Sequence, residues 1–151
     1  MKRLCLFSAL LFAIAFCSEA LQCQQLTVQT DSGKQVLLSR TDLEALPHVK
    51  VTASEHSSGP VNFEGVALKS VLEKAGIGFG ESMKGKWLSN CLLVEAADGY
   101  RAVIALPELD PAFTDKQVLL AFLRDGKPLG EKEGPYRIVI PDEKRALSEK
   151  L

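Results

Sequence analysis

The chain is poor in the residue types that most often carry chemistry on their own. Its 151 residues include four cysteines, two histidines, two tyrosines and one tryptophan. No Cys-x-x-Cys pair occurs, which excludes a thioredoxin-like redox centre and a zinc ribbon. There is no His-Glu-x-x-His pair and no Gly-x-Ser-x-Gly elbow, so neither a zincin nor a hydrolase of the nucleophile-elbow type fits. Charge of one sign is also lacking: 18 lysines and arginines face 19 acidic residues. Without a basic stripe to neutralise phosphates, general nucleic-acid binding is excluded, and any anion site must be local. The glycines at Gly76, Gly78 and Gly80 follow a helical pattern rather than opening one, so they do not form a phosphate cradle. No internal repeat or low-complexity segment is present.

Long apolar runs are scarce as well. The longest, Leu4 to Phe16, falls short of the roughly 20 residues that span a bilayer. Lys2 and Arg3 precede it and Ser18-Glu19-Ala20 follows it, which is the pattern of a secretory signal peptide cleaved after Ala20. Phe16 before Cys17 and Gln22 before Cys23 do not suit lipid attachment. The expectation is a signal peptide over 1–20 and one domain over 21–151, periplasmic or secreted, with no membrane association after cleavage. Loss of Lys2, Arg3 and Glu19 leaves a formal charge of −2. Cys23 and Cys91 are then the only cysteines. In an oxidising compartment they either pair or remain as a terminal thiol and a small core residue.

What is there reads as short strands and helices without strict alternation. Leu26 to Thr30 and Gln35 to Leu38 flank Asp31-Ser32-Gly33 as a hairpin. Ser39 and Asp42 have capping-box spacing before a short helix that Pro47 stops. Val49 and Val51 suggest a strand, His56 to Pro60 a loop, and Val61-Asn62-Phe63 a short extended piece broken by Gly65. Leu68, Val71, Leu72 and Ala75 lie on one helical face, with Gly76 as the left-handed cap. Cys91 to Val94 reads as a buried strand. Leu92 to Ala97 and Tyr100 to Leu106 meet at Asp98-Gly99, a pair that favours a tight primed turn. Pro107 to Leu109 forms a turn or short helix. Val118 to Phe122 reads as a buried strand or short helix, Arg124 to Pro128 as a turn, and Tyr136 to Ile140 as the last strong strand. With at least two hairpins, the class expected is α+β with a mixed sheet and short helices.

Two segments combine an aromatic, an arginine and a turn: Asp98-Gly99-Tyr100-Arg101 and Gly134-Pro135-Tyr136-Arg137. Arginine offers a planar fork of donors suited to phosphate. Arg101 and Arg137 are therefore candidates for an anion, or else partners of a nearby carboxylate such as Glu95 or Glu108. If they face a ligand, removing either should leave stability intact. Lys144 and Arg145 form the only compact basic pair near the last strand. Tyr100 could line a pocket, and His56 is either a ligand-facing imidazole or a solvated loop residue. Asp98 suits the turn, Trp87 reads as a cap on the core, and His48 as structural.

Read in order, Phe63-Glu64-Gly65-Val66-Ala67-Leu68, Val71 to Ile77, Val94 to Arg101, Leu106-Pro107-Glu108-Leu109-Asp110-Pro111, Asp125 to Leu129 and Gly134 to Pro141 resemble the molybdopterin-binding domain of the sulfite oxidase family. The resemblance runs from about Val49 to Arg145 and is closest to short, exported, single-domain members. It implies an α+β fold around a molybdopterin cofactor, a cysteine thiolate on molybdenum and oxygen-atom transfer. It also implies phosphate contacts for Arg101, Arg137, Lys144 and Arg145. The family's cysteine belongs to the segment before Phe63-Glu64-Gly65, which here reads Val51-Thr52-Ala53-Ser54-Glu55-His56. The resemblance thus reaches the pterin but supplies no metal ligand. Family chains also continue past Lys144-Arg145 into a further strand, whereas this one stops at Leu151. Two functions follow as expectations: an oxidoreductase-type domain, or a non-catalytic module for a small anionic ligand or a redox or other partner protein.

Overall fold

The structure, a computed structural model, describes residues 25–55 and 59–141. The expected signal peptide, Cys23, His56, Lys144 and Arg145 lie outside the described residues. Strands β1 (Leu26–Gln29) and β2 (Gln35–Leu38) form the first hairpin, with Leu26 opposite Leu38. Helix α1 (Arg40–Glu44) follows, closed by the expected capping box: the Asp42 N–H donates to Ser39 Oγ, and the Ser39 N–H donates to the Asp42 carboxylate. The Ser39 hydroxyl, which also donates to the Asp42 carboxylate at 2.6 Å, and after it the Ser39 N–H hold the Asp42 carboxyl below its usual range.

A five-stranded sheet organises the rest. β3 (His48–Glu55) pairs with β4 (Gly59–Ala67), and β4 with β7 (Leu119–Arg124). The far edge of β7 takes β8 (Lys127–Pro128) at one end and β9 (Arg137–Val139) at the other. Strand β5 (Cys91–Glu95) and β6 (Arg101–Ala105) make a separate hairpin. Every ladder among the described residues is antiparallel, so the sheet is not mixed in strand direction as expected. The class remains α+β, since helix α2 (Leu68–Lys74) and α1 pack beside antiparallel sheets.

Gly65 corrects the sequence reading. It does not break a strand but lies inside the nine-residue β4, which takes in Gly59 and Pro60 as well. A Cβ at Gly65 would run into the Leu120 carbonyl and come within 2.7 Å of the Ala121 Cα. Glycine is there so that β7 can approach, and the register shifts between Glu64 and Gly65, the mark of a bulge.

The sheet has two apolar faces. On one, Val66, Leu120, Phe122 and Ile138 join Leu43 of α1, Leu68, Val71, Leu72 and Ala75 of the α2 face, Ile104 and the buried ring of Tyr136. The α2 stripe therefore folds as its spacing predicts. Its end is a Schellman turn: Gly76, at φ 96°, donates to Glu73 O, and Ile77 donates to Leu72 O. On the other face, Val51, Ala53, Val61, Phe63, Leu119, Ala121 and Val139 form a second cluster.

The turns differ from expectation in one respect. At Asp98-Gly99 only Gly99 has positive φ, and the Gly99 N–H donates to Ala96 O inside an Ala96–Tyr100 closing bond. That is a type I turn with a glycine bulge, not the tight primed turn. The primed geometry occurs instead at Asp125 and Gly126, with φ values of 48° and 77°, between the paired Arg124 and Lys127.

Candidate functional site

The candidate arginines separate. Arg101 opens β6, its side chain 64% exposed, and its Nη2 donates to Glu95 Oε1 across the hairpin at 3.1 Å. Tyr100 precedes it at the turn, partly exposed. Asp98 serves the turn as expected, accepting the Tyr100 N–H.

Arg137 lies elsewhere, in the five-stranded sheet. It opens β9 opposite Ala121, its side chain only 6% exposed. Its Nη1 donates to Glu133 Oε1 at 2.8 Å. The same carboxylate oxygen accepts from Arg124 Nη1, at the end of β7. Both guanidiniums pack over the ring of Phe63, with Arg137 Cζ 5.1 Å and Arg124 Cζ 5.8 Å from its centroid. The result is one carboxylate oxygen held between two guanidiniums, on an aromatic floor. Two charges that share a counter-ion can be held out of water because each keeps a charge-assisted hydrogen bond.

Register fixes what else shares this face. Phe63 lies opposite Val51 on one side and Arg124 on the other, and side chains directly opposite in a ladder point the same way. Val51 and Ala53 therefore face the same side as the arginine pair, and Thr52 and Ser54 the other. The segment to which the resemblance assigns a cysteine thus shares a sheet face with Arg137, and does so with apolar side chains. Arg101 belongs to the other sheet.

Sequence reasoning named Glu95 and Glu108 as carboxylate partners. Glu95 does pair with Arg101, but Arg137 pairs with Glu133, which sequence reasoning missed, along with Arg124. The signal available was the i, i+4 spacing of Glu133 and Arg137 around Gly134-Pro135. Cys91, expected to be buried, is exposed: it begins β5 with its side chain on the outward face. His48 is structural as expected. Its Nδ1 lies 3.2 Å from Glu64 Oε1 and its Nε2 3.2 Å from the Glu44 carbonyl, and its ring meets Phe122 edge-on. The His48 contact, followed by Lys50, holds the Glu64 carboxyl below its usual range.

A cleft of about 540 Å³ lies between the β1–β2 turn, the end of α2 and the start of β5. Trp87, Asn90, Cys91 and Lys34 are among its lining residues, and Leu72 and Leu106 supply apolar wall. Trp87 is thus a partly exposed cleft residue rather than a lid on the core. Among the described residues, no arginine lines this cleft.

No curated protein matches the chain. The model of the oxidoreductase molybdopterin binding domain does, over residues 19–150. That match takes in all the described strands, both apolar faces and the Arg124–Glu133–Arg137 group. The chain therefore belongs to the oxidoreductase molybdopterin-binding domain family, of the sulfite oxidase-like kind, whose members are expected to take a molybdopterin cofactor.

Proposed function

We propose that this chain is an exported, single-domain member of the family that binds a small anion, without the family's molybdenum-centred oxygen-atom transfer. The observation that carries the reading is the carboxylate oxygen of Glu133 held between Arg124 and Arg137 over Phe63. A phosphate oxygen is held in the same way, because the guanidinium fork matches carboxylate and phosphate alike. Glu133 then acts as the internal stand-in that an incoming anion joins or displaces.

The residues present do not fit the metal-bearing part of the cofactor. A soft thiolate is the donor that suits such a metal. The sequence holds no cysteine from Gln24 to Asn90, and Cys91 stands on the outward face of a different sheet. Val51 and Ala53, which share the face of the arginine pair, offer no donor atom in their side chains. The charge of the arginine pair does suit the phosphate of a pterin. In this reading Arg137 and Arg124 carry the anion. Arg101 and Tyr100 belong to the separate hairpin and take no part.

Titration of the purified protein with inorganic phosphate, followed by amide NMR, tests this. Shifts should centre on Phe63, Arg124, Glu133 and Arg137. Arg137→Lys, which keeps the charge and loses the fork, should weaken binding at least about 10-fold. Phosphate that binds equally well to this variant, or that shifts only the Arg101 hairpin, would overturn the reading.

A further inference from the structure

The β5–β6 hairpin has one face that the fold uses and one that it does not. Leu92, Val94 and Ile104 turn inward to the main core. Cys91, Leu93 and Glu95 of β5 and Arg101, Val103 and Ala105 of β6 turn outward. Leu93 is 55% and Val103 67% exposed, and they lie directly opposite one another. Above them the ladder pairs Glu95 with Arg101, and below them Cys91 with Ala105. An exposed cross-strand pair of large aliphatic side chains, with an ion pair at one end, is an apolar patch with a polar rim.

We propose that this face is the contact between two copies of the chain. With the strands kept aligned, a face-to-face pairing of two such hairpins can obey two-fold symmetry in two ways. If the axis crosses the strands, each strand lies over its own mate. Glu95 then meets the partner's Cys91, Arg101 meets the partner's Ala105, and all four charges are covered by residues that cannot pair with them. If the axis runs along the strands, β5 of one copy lies over β6 of the other. Leu93 then meets the partner's Val103, Cys91 meets the partner's Ala105, and Glu95 meets the partner's Arg101, twice. Only this second arrangement is self-complementary in both charge and apolar contact, as an isologous interface must be.

The face is small against the roughly 1,000 Å² that a specific interface buries. The dimer is accordingly weak, concentration-dependent and weakened by salt, since its orientation rests on ion pairs. This proposal is independent of the anion site, which lies on a different sheet.

Sedimentation velocity of the full mature chain, at concentrations from about 1 µM to 1 mM, is the test. The wild type should shift from monomer towards dimer. Glu95→Arg places two arginine pairs across the axis and Arg101→Glu two glutamate pairs, so each alone should weaken association about 10-fold or more. Mixing these two variants should give a heterodimer, and the double variant Glu95→Arg/Arg101→Glu should regain the homodimer. Both residues are exposed, so thermal melts should confirm folding of all the variants. A wild type that stays monomeric throughout would overturn the proposal. So would single variants that associate as the wild type does, or a double variant as weak as the singles.

Discussion

Gly65 and Leu120 are in backbone contact across the β4–β7 ladder, closely enough that no side chain fits between them. Gly65→Ala should therefore force β4 and β7 apart at the centre of the sheet. The expected cost is about 3 kcal/mol, at the upper end of overpacking penalties because the obstructing atoms are backbone. Urea unfolding of the variant measures it, and a loss below about 0.5 kcal/mol would contradict the account.

The two arginines nominated by sequence should behave differently when truncated. Arg101→Ala removes an exposed cross-strand pair, and exposed pairs contribute about 0.5 kcal/mol. Arg137→Ala removes a buried guanidinium that donates to Glu133 and covers Phe63, and should cost about 2 kcal/mol. Truncating Arg101 should thus be nearly neutral for stability, whereas truncating Arg137 should not, whether or not it faces a ligand. Comparing the two variants by chemical denaturation checks it, and equal losses would contradict the separation described above.

Glu133→Gln should act in opposite directions on stability and on binding. It removes the negative charge between Arg124 and Arg137, so the folded protein should lose stability while inorganic phosphate binds more tightly, by about 3-fold or more. A phosphate affinity unchanged or lowered in this variant would show that Glu133 does not occupy an anion position.

Three carboxylates give a pH dependence of definite sign. Asp110 is held below its usual range chiefly by the Ala112 N–H, and also by that of Gly80. Ser39 lowers Asp42, and His48 lowers Glu64. A carboxylate depressed in the folded state stabilises above its unfolded pKa and loses that contribution as pH falls through the folded value. Melting temperature should therefore be nearly constant from neutrality down to about pH 5 and fall below about pH 4. Asp110→Asn should lower the plateau and flatten the acid limb, and a protein that gains stability between pH 5 and pH 3 would contradict this.

Much of the fold could be read from local chemistry. The Ser39–Asp42 box, the α2 stripe ended by Gly76, and the Asp31-Ser32-Gly33 hairpin each depend on neighbours in sequence. The errors came where distant contacts decide. Gly65 looked like a breaker because nothing nearby reveals that β7 crosses there. Cys91 looked buried because the run Cys91 to Val94 is apolar, although a hairpin with only one covered face exposes alternate residues. Asp98-Gly99 and Asp125-Gly126 share a dipeptide and adopt different turns, since the ladders around them differ in register. For the site, composition identified the arginines, but only the topology showed that Arg137 joins Arg124 and Arg101 does not.

The central claim is that the family fold is kept here without the thiolate that holds the metal. Its most direct test is the molybdenum-to-protein ratio of the protein purified from a molybdenum-replete host that expresses the full 151-residue sequence. The account predicts a ratio near zero, unchanged by Cys91→Ser. A stoichiometric ratio would contradict it.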